Sequence, residues 1–223
     1  MPRTARSRLA APYFHVVNRG VRRTPIFTRP VDYRAFLTVL QEGLQKHEVS
    51  LVAYCLMSNH WHLVVEPAGT LALARFMQWV TATHAIRWHH HRKTVGQGPL
   101  YQGRYFASPL SNMTEVVYAC RYVERNALRA GLVRRAQDWP WCSLAARLDG
   151  ATGPALKTAR FLTSDAWIDY VNQQRSPRER IEEPEDFAQG SVRKTASKPA
   201  LVTAKPTSGT KRAKSVENTS VPL

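Results

Sequence analysis

The sequence contains few of the residues that would make it a secreted or membrane-spanning protein. Only 3 of its 223 residues are cysteine, and they are too scattered for a disulfide scaffold or a CxxC zinc site. No apolar run approaches the roughly 20 residues that a membrane-spanning helix needs. The basic N-terminal residues are not followed by the apolar stretch of a signal peptide. We therefore expect a cytoplasmic protein with no membrane partner.

Acidic residues are also scarce. The chain has 16 Asp and Glu against 32 Lys and Arg, a formal net charge of +16 at pH 7. Such an excess favours a polyanionic partner, either nucleic acid or an acidic membrane surface. Because the sequence has no membrane-spanning stretch, we expect the partner to be nucleic acid. The protein would then be associated with the nucleoid.

The composition predicts three regions along the chain. Residues 1–150 carry the aromatic and β-branched residues of a folded domain. Residues 151–190 form an extension or linker whose last part, from Ser176 to Gly190, is mostly charged. Residues 191–223 lack aromatics and are rich in Ser, Thr, Lys, Pro and Ala. This segment has too little apolar surface to offset the entropy of ordering, so we predict a disordered basic tail.

Hydrophobic periodicity predicts alternating strands and helices in the first region. The predicted strands cover residues 13–18, 50–57, 60–66 and 101–109. A first helix, capped by Thr28, lies between the first two strands, and a second runs from about Thr70 to Trp88. A third helix opens with the capping-box pair Asn112 and Glu115 and closes at Gly131. The order is that of a ferredoxin-like α+β sandwich with an antiparallel sheet, followed by one further helix.

The strand segment His60-Trp61-His62 is a candidate metal site. Side chains alternate along a strand, so the two histidines share one face, roughly 6.5–7 Å apart. Two imidazoles at that spacing can chelate one divalent ion, while Trp61 anchors the opposite face. The alternative is two polar histidines on an exposed sheet face.

The third helix carries two stripes of side chains. One stripe is apolar and should pack on the sheet or on other helices: Val116, Cys120, Val123 and Ala127. The second holds Tyr118, Tyr122 and Asn126 at intervals of four residues, flanked by Arg121 and Arg125. An aromatic in such a stripe can simply be partly buried, or it can be a reactive phenol beside an amide and two cations.

Five segments, in this order, resemble a known family: Tyr13–Gly20, Leu56–Pro67, Leu100–Tyr105, Arg121–Val133 and Asp138–Ser143. The family is the HUH single-tyrosine transposases, in the branch associated with repetitive extragenic palindromes. The resemblance spans about residues 1–150. Two departures are visible: many relatives have Asn-Pro at Asn126-Ala127, and serine is common at Cys142. Neither removes a functional group.

The resemblance implies a set of roles for the candidate site. His60 and His62 would be the metal-binding histidines, Asn126 the third ligand and Tyr122 the nucleophile. One divalent ion, Mg²⁺ or Mn²⁺, is implied. Tyr122 would attack a phosphodiester of single-stranded DNA and leave a 5′-phosphotyrosine and a free 3′-hydroxyl. Three other tyrosines could compete as nucleophiles: Tyr118, which ranks second, Tyr101 and Tyr105.

Basic residues near these segments are predicted to bind DNA through its phosphates. They are Arg19, Arg22, Arg23, Arg104, Arg121 and Arg125. Relatives recognise a DNA hairpin with a short adjoining single strand, and Arg3, Arg6 and Arg8 are further candidates for that contact. His89-His90-His91 is interpreted as a polar helix end.

Three hypotheses follow. The first is a metal-dependent endonuclease and strand transferase that acts on hairpin-forming single strands. The second is a non-catalytic protein that recognises palindromic DNA, and the third is a zinc-stabilised structural module. A monomer is favoured for the first hypothesis, with a homodimer that exchanges its tyrosine helices as the alternative.

Overall fold

The computed structural model describes residues 11–150, 153–157 and 160–174. Within these residues, four strands form one antiparallel sheet in the order β2–β3–β1–β4. The strands are β1 (Tyr13–Arg19), β2 (Val49–Leu56), β3 (His60–Pro67) and β4 (Phe106–Leu110). Helix α1 (Pro30–Lys46) joins β1 to β2, and α2 (Thr70–Arg92) joins β3 to β4. The predicted ferredoxin-like α+β sandwich is confirmed.

Helices α1 and α2 cover one face of the sheet. The core between them contains Phe14 from β1, Phe36 from α1, Trp61 from β3 and Phe76 from α2. The two helices approach closely at Gly43, where a Cβ atom would come within 2.9 Å of Val80. A larger residue at position 43 would have to displace the Val80 side chain, so the close approach of the helices favours glycine.

The opposite face of the sheet is covered by the helices that follow β4. These are α3 (Met113–Glu124), α4 (Asn126–Arg129), α5 (Ser143–Asp149) and α6 (Asp165–Asn172). The apolar stripe of the third predicted helix is buried in this second core, which also holds Ala53, Cys55 and Val64 of the sheet. Burial on both faces explains why β2 has a nearly continuous apolar sequence.

The N-terminus of α3 has the predicted cap. The side chain of Asn112 accepts a hydrogen bond of 3.0 Å from the backbone N–H of Glu115. The carboxylate of Glu115 in turn accepts one of 2.7 Å from the backbone N–H of Ser111. Both bonds satisfy backbone donors that a helix N-terminus leaves unpaired.

Apart from one-residue shifts at strand ends, four features of the elements differ from prediction. Helix α1 is capped by Arg29 rather than Thr28. The fourth strand begins at Phe106 rather than residue 101, because Tyr101 makes only an isolated bridge with Gly20 and the chain then bends at residues 102–104. Helix α2 continues past Trp88 to Arg92, so the three histidines form its last turn. The third predicted helix is interrupted: α3 ends at Glu124 and α4 starts at Asn126.

The described part of the predicted extension is helical and packs on the domain. A 3-10 turn at Arg160–Thr163 precedes α6, whose Trp167 and Val171 are buried in the second core. The linker predicted at 176–190, the basic tail at 191–223 and the N-terminal arginines Arg3, Arg6 and Arg8 lie outside the described residues. None of the described helices is long and apolar enough to cross a membrane.

One buried carboxylate connects the helices of the second face. Glu124, at the end of α3, accepts hydrogen bonds from Ser143 and Arg147 of α5 and from Trp167 of α6. Glu124 is fully buried and the Arg147 side chain is only 8% exposed. This network fixes the C-terminal end of α3 relative to both neighbouring helices.

We predict that Arg147→Ala lowers the free energy of unfolding by about 3–5 kcal/mol, because it leaves the Glu124 carboxylate buried without its cation. Urea unfolding followed by circular dichroism would measure this. The control is Arg87→Ala, which breaks the solvent-exposed pair of Arg87 with Glu42 and should change stability by less than about 1 kcal/mol. Equal effects of the two substitutions would contradict the prediction.

Candidate active site

The pairing of β1 with β3 places the histidines on the α3 side of the sheet. Arg19 lies opposite His60, and Val17 lies opposite His62. Directly opposed residues of an antiparallel pair share a face, and so do residues two apart in a strand. His15, two residues before Val17, is therefore on the same face as both histidines of the HxH segment.

His62 lies at the centre of a chain of side-chain contacts. Its Nε2 atom is 3.0 Å from the Asn126 amide nitrogen. Its Nδ1 atom is 3.0 Å from Nε2 of His15. The ring centroids of His15 and His62 are 5.3 Å apart and the ring planes differ by 9°, so the two rings lie edge to edge and nearly coplanar. Asn126 is the first residue of α4, directly after the interruption at Arg125.

Tyr122 packs edge-on against both of these histidines. Its ring centroid is 5.6 Å from that of His62 and 5.8 Å from that of His15. The Arg129 guanidinium lies over the Tyr122 ring, 4.7 Å from its centroid, which is a cation–π distance. Tyr122 is 3% exposed. The tyrosine and histidines singled out in the sequence thus meet within one chain.

His60 completes the group from the edge of the site. Its ring centroid is 5.0 Å from that of His62. Its Nδ1 atom is 2.7 Å from the side-chain oxygen of Asn59. Because that oxygen can only accept, Nδ1 of His60 carries the proton and Nε2 presents a lone pair.

The three histidines are neutral at neutral pH. Burial lowers the pKa of His15 to about 4. Burial, with the nearby charges of Arg129 and Arg19, lowers the pKa of His60 to about 3. Burial also moves the pKa of His62 well below its ordinary value, helped by the adjacent His60 and His15. Neutral imidazole is the form that binds a metal ion.

His60, His62 and Asn126 have donor types that fit one divalent ion. Two donors about 2.1 Å from an octahedral ion, at right angles to each other, lie about 3.0 Å apart. His62 Nε2 and the Asn126 amide nitrogen are 3.0 Å apart. If the amide group rotated by half a turn, its oxygen would occupy the position of that nitrogen, and the oxygen and His62 Nε2 would have the spacing of two adjacent ligands. Across the part of the chain that the structure describes, no cluster of three or more His, Cys, Asp or Glu could hold a metal.

Four of the predicted DNA-binding arginines lie on the segments around the C-terminal end of β1. Arg19 is buried, and its guanidinium donates to Gln102. Arg22 and Arg23 are exposed in the turn after β1, with φ angles of 51° and 61°. Arg104 is exposed in the loop before β4. The segment around this turn is bonded to residues 58 and 59, which directly precede His60.

The structure gives Arg121 and Arg125 a role that the sequence did not predict. The Arg121 guanidinium donates to the carbonyls of Tyr170 and Gln173, and Arg125 donates to those of Val171 and Asn172. The last carbonyls of a helix have no partner within it, and cations there are favourable. The two arginines therefore cap α6, and their contact with DNA stays a prediction.

The competing tyrosines differ in position. Tyr101 is bonded to Trp61 and His84 in the α1–α2 core, on the opposite face of the sheet from His62. Tyr105 is buried in the same core. Tyr118 lies one turn before Tyr122 on α3 and is partly buried. Of these four tyrosines, Tyr122 has recorded ring contacts with His15 and His62.

Sequence reasoning missed His15 and Arg129. His15 is a polar residue in the otherwise apolar strand segment that was predicted at 13–18, and this contrast was the available signal. Arg129 lies seven residues after Tyr122, two helical turns on, but the interrupted helix made that spacing unreliable. Neither side chain can be assigned to the site without the β1–β3 register or the position of α4.

Comparison with known proteins first defines the class, which is a DNA-processing transposase. Residues 9–126 match the family model of IS200-like transposases. The match covers more than half of the chain, so the chain belongs to the IS200-like transposase family, and the resemblance seen in the sequence is confirmed. No curated protein matches the chain significantly.

Solved structures are similar in fold. One is a tyrosine transposase associated with repetitive extragenic palindromes (REP), bound to a REP hairpin. It has 16% sequence identity and a TM-score of 0.54, with 74% of this chain and 94% of that one covered. The other, described as a candidate transposase from Deinococcus radiodurans, has 16% identity and a TM-score of 0.40, with 52% and 91% covered.

We predict that Arg129→Ala increases nitration of Tyr122 by tetranitromethane several-fold, because the guanidinium lies over one face of a ring that is only 3% exposed. Peptide mass spectrometry would give the rate, with Tyr118 as the internal reference. The control is Arg134→Ala, which removes another exposed arginine. An unchanged rate in Arg129→Ala would show that other groups enclose Tyr122.

Proposed function

We propose that this protein is a metal-dependent endonuclease and strand transferase for single-stranded DNA, with Tyr122 as its nucleophile. The observation that supports the proposal is the meeting of Tyr122, His62 and Asn126, which come from three different elements of one chain. An amide, two imidazoles and a phenol in contact are the groups that phosphodiester transesterification requires.

In the proposed reaction, the Tyr122 oxygen attacks the phosphorus of a phosphodiester. The bond to the 3′ oxygen breaks, and that fragment leaves as a 3′-hydroxyl. The phenol proton is released to solvent, and a proton returns to the leaving oxygen. A 5′-phosphotyrosine remains, so the 3′-hydroxyl of a DNA strand can attack it and release Tyr122 without ATP.

His60, His62 and Asn126 would hold one Mg²⁺ or Mn²⁺ beside the scissile phosphate. A bound divalent ion withdraws charge from the phosphate oxygens and stabilises the charge that develops on them. The protein supplies two imidazoles that are already neutral and an amide fixed at the start of α4. Arg129 adds a cation next to the phenol, where the phosphate would enter.

The proposed partner is a DNA hairpin with an adjoining single strand. The exposed arginines Arg22, Arg23 and Arg104 lie on segments near the end of the sheet where His60 begins β3. The similar fold of the transposase bound to a REP hairpin supports this choice of substrate. Because histidines and tyrosine meet in one chain, we propose that a monomer carries a complete site.

The direct test is formation of a covalent adduct. The full chain is incubated with Mn²⁺ and a labelled hairpin oligonucleotide that has an unpaired flank, and products are separated on a denaturing gel. We expect a protein–DNA adduct that Tyr122→Phe abolishes and Tyr118→Phe retains. An adduct that survives Tyr122→Phe would refute the assignment of the nucleophile. Tight, metal-independent hairpin binding with no adduct would favour the non-catalytic hypothesis.

A second prediction concerns the exposed arginines of the turn after β1. Each phosphate contact contributes about 0.7–0.9 to the slope of log affinity against log salt concentration. Replacing both Arg22 and Arg23 with alanine should therefore make this negative slope less steep by about 1.5 for the hairpin oligonucleotide. Fluorescence anisotropy over a salt series would measure it, with Arg87→Ala on α2 as the control. An unchanged slope would exclude these arginines from the DNA interface.

A further inference from the structure

His15 has no role in the mechanism proposed above, although it is the direct neighbour of His62. It lies in the middle of β1 and is 0% exposed. Its Nε2 atom is 3.0 Å from Nδ1 of His62, and the two rings are nearly parallel. An imidazole so placed either accepts a hydrogen bond from His62 or donates one to it.

The contact with Asn126 decides between these two possibilities. The Asn126 amide nitrogen can only donate, so Nε2 of His62 accepts and carries no proton. The neutral His62 ring then has its proton on Nδ1 and donates it to Nε2 of His15. His15 must carry its own proton on Nδ1, which is buried and has no hydrogen-bond partner among the described residues.

That unpaired Nδ1 argues against a role in stability alone. A buried donor without a partner destabilises the folded state relative to an apolar side chain of similar size. A phenylalanine or leucine would fill the same position in the second core without this penalty. Unlike these apolar residues, histidine at position 15 provides a hydrogen-bond acceptor, Nε2, which faces Nδ1 of His62.

We propose that His15 is the positioning residue of the metal site: by accepting a hydrogen bond from Nδ1–H of His62, it orients that ring and keeps the His62 Nε2 lone pair available for the ion. The inference rests on the proposed function, since it assigns the partner of one proposed ligand. Groups that bond to metal-binding histidines in this way raise metal affinity by about 10- to 100-fold.

The first test measures binding of Mn²⁺ to the full chain without DNA, from the electron paramagnetic resonance signal of the free ion. We expect His15→Phe to weaken binding about 10- to 100-fold. His15→Gln should recover most of the loss, because its side-chain oxygen can still accept from His62. His84→Phe is the matched control: His84 is equally buried but bonds to Tyr101 on the other face of the sheet, so Mn²⁺ affinity should not change.

Two failures can be told apart with His62→Ala. If His62→Ala abolishes Mn²⁺ binding and His15→Phe has no effect, the role of His15 is refuted and the proposed metal site stands. If neither substitution alters binding, the metal site itself is refuted. Equal weakening by His15→Phe and His84→Phe would reduce His15 to a general structural role and would also overturn the inference.

A second measurement needs no substitution at position 15. Long-range ¹H–¹⁵N correlation spectra of the native protein distinguish the two tautomers of a neutral histidine. We expect His62 to be protonated on Nδ1 and His15 also on Nδ1, with the His62 signals assigned by their loss in His62→Ala. A His62 ring protonated on Nε2 would overturn the inference.

Discussion

The hydrogen bond between Asn126 and His62 is the contact on which the candidate site depends. It joins the first residue of α4 to His62 of β3. The bond leaves Nε2 of His62 without a proton, so the proton of this neutral ring is on Nδ1, which faces His15. It adds a polar link between the sheet and the helices to the apolar contacts that pack α3 on the sheet.

That contact is maintained by polar groups buried away from the site. Glu124 ties the end of α3 to α5 and α6 through hydrogen bonds to both helices. Arg121 and Arg125 approach from the same helix end and bind the last carbonyls of α6. Tyr122 thus lies in a stretch whose neighbours on either side are fixed to other elements. In the proposed function, these contacts would hold Tyr122 and Asn126 in place before DNA binds.

Much of this arrangement could be predicted from the sequence. Alternating apolar patterns gave the order of strands and helices, and the capping pair at Asn112 gave the start of α3. The HxH segment and the stripe of Tyr122 and Asn126 are candidates by their spacing, and the family resemblance assigns their roles. What could not be predicted depends on tertiary contacts: the break at Arg125, the pairing that brings His15 to His62, and the burial of Arg121. Local periodicity continues through Arg121 and Arg125, and although His15 stands out as a polar residue in β1, the pattern does not say which residue it faces.

The electrostatic environment of the site has a consequence for the order in which it fills. The ionised groups that act on His60 and His62 among the described residues are Arg129 and Arg19, both positive. A ligand set of imidazoles and an amide brings no negative charge to offset a dication. In the proposed function, the phosphate of a bound strand would supply that charge, so metal and DNA would each raise the affinity of the site for the other by the same factor. The ion would therefore bind more weakly to the free protein than to the protein–DNA complex.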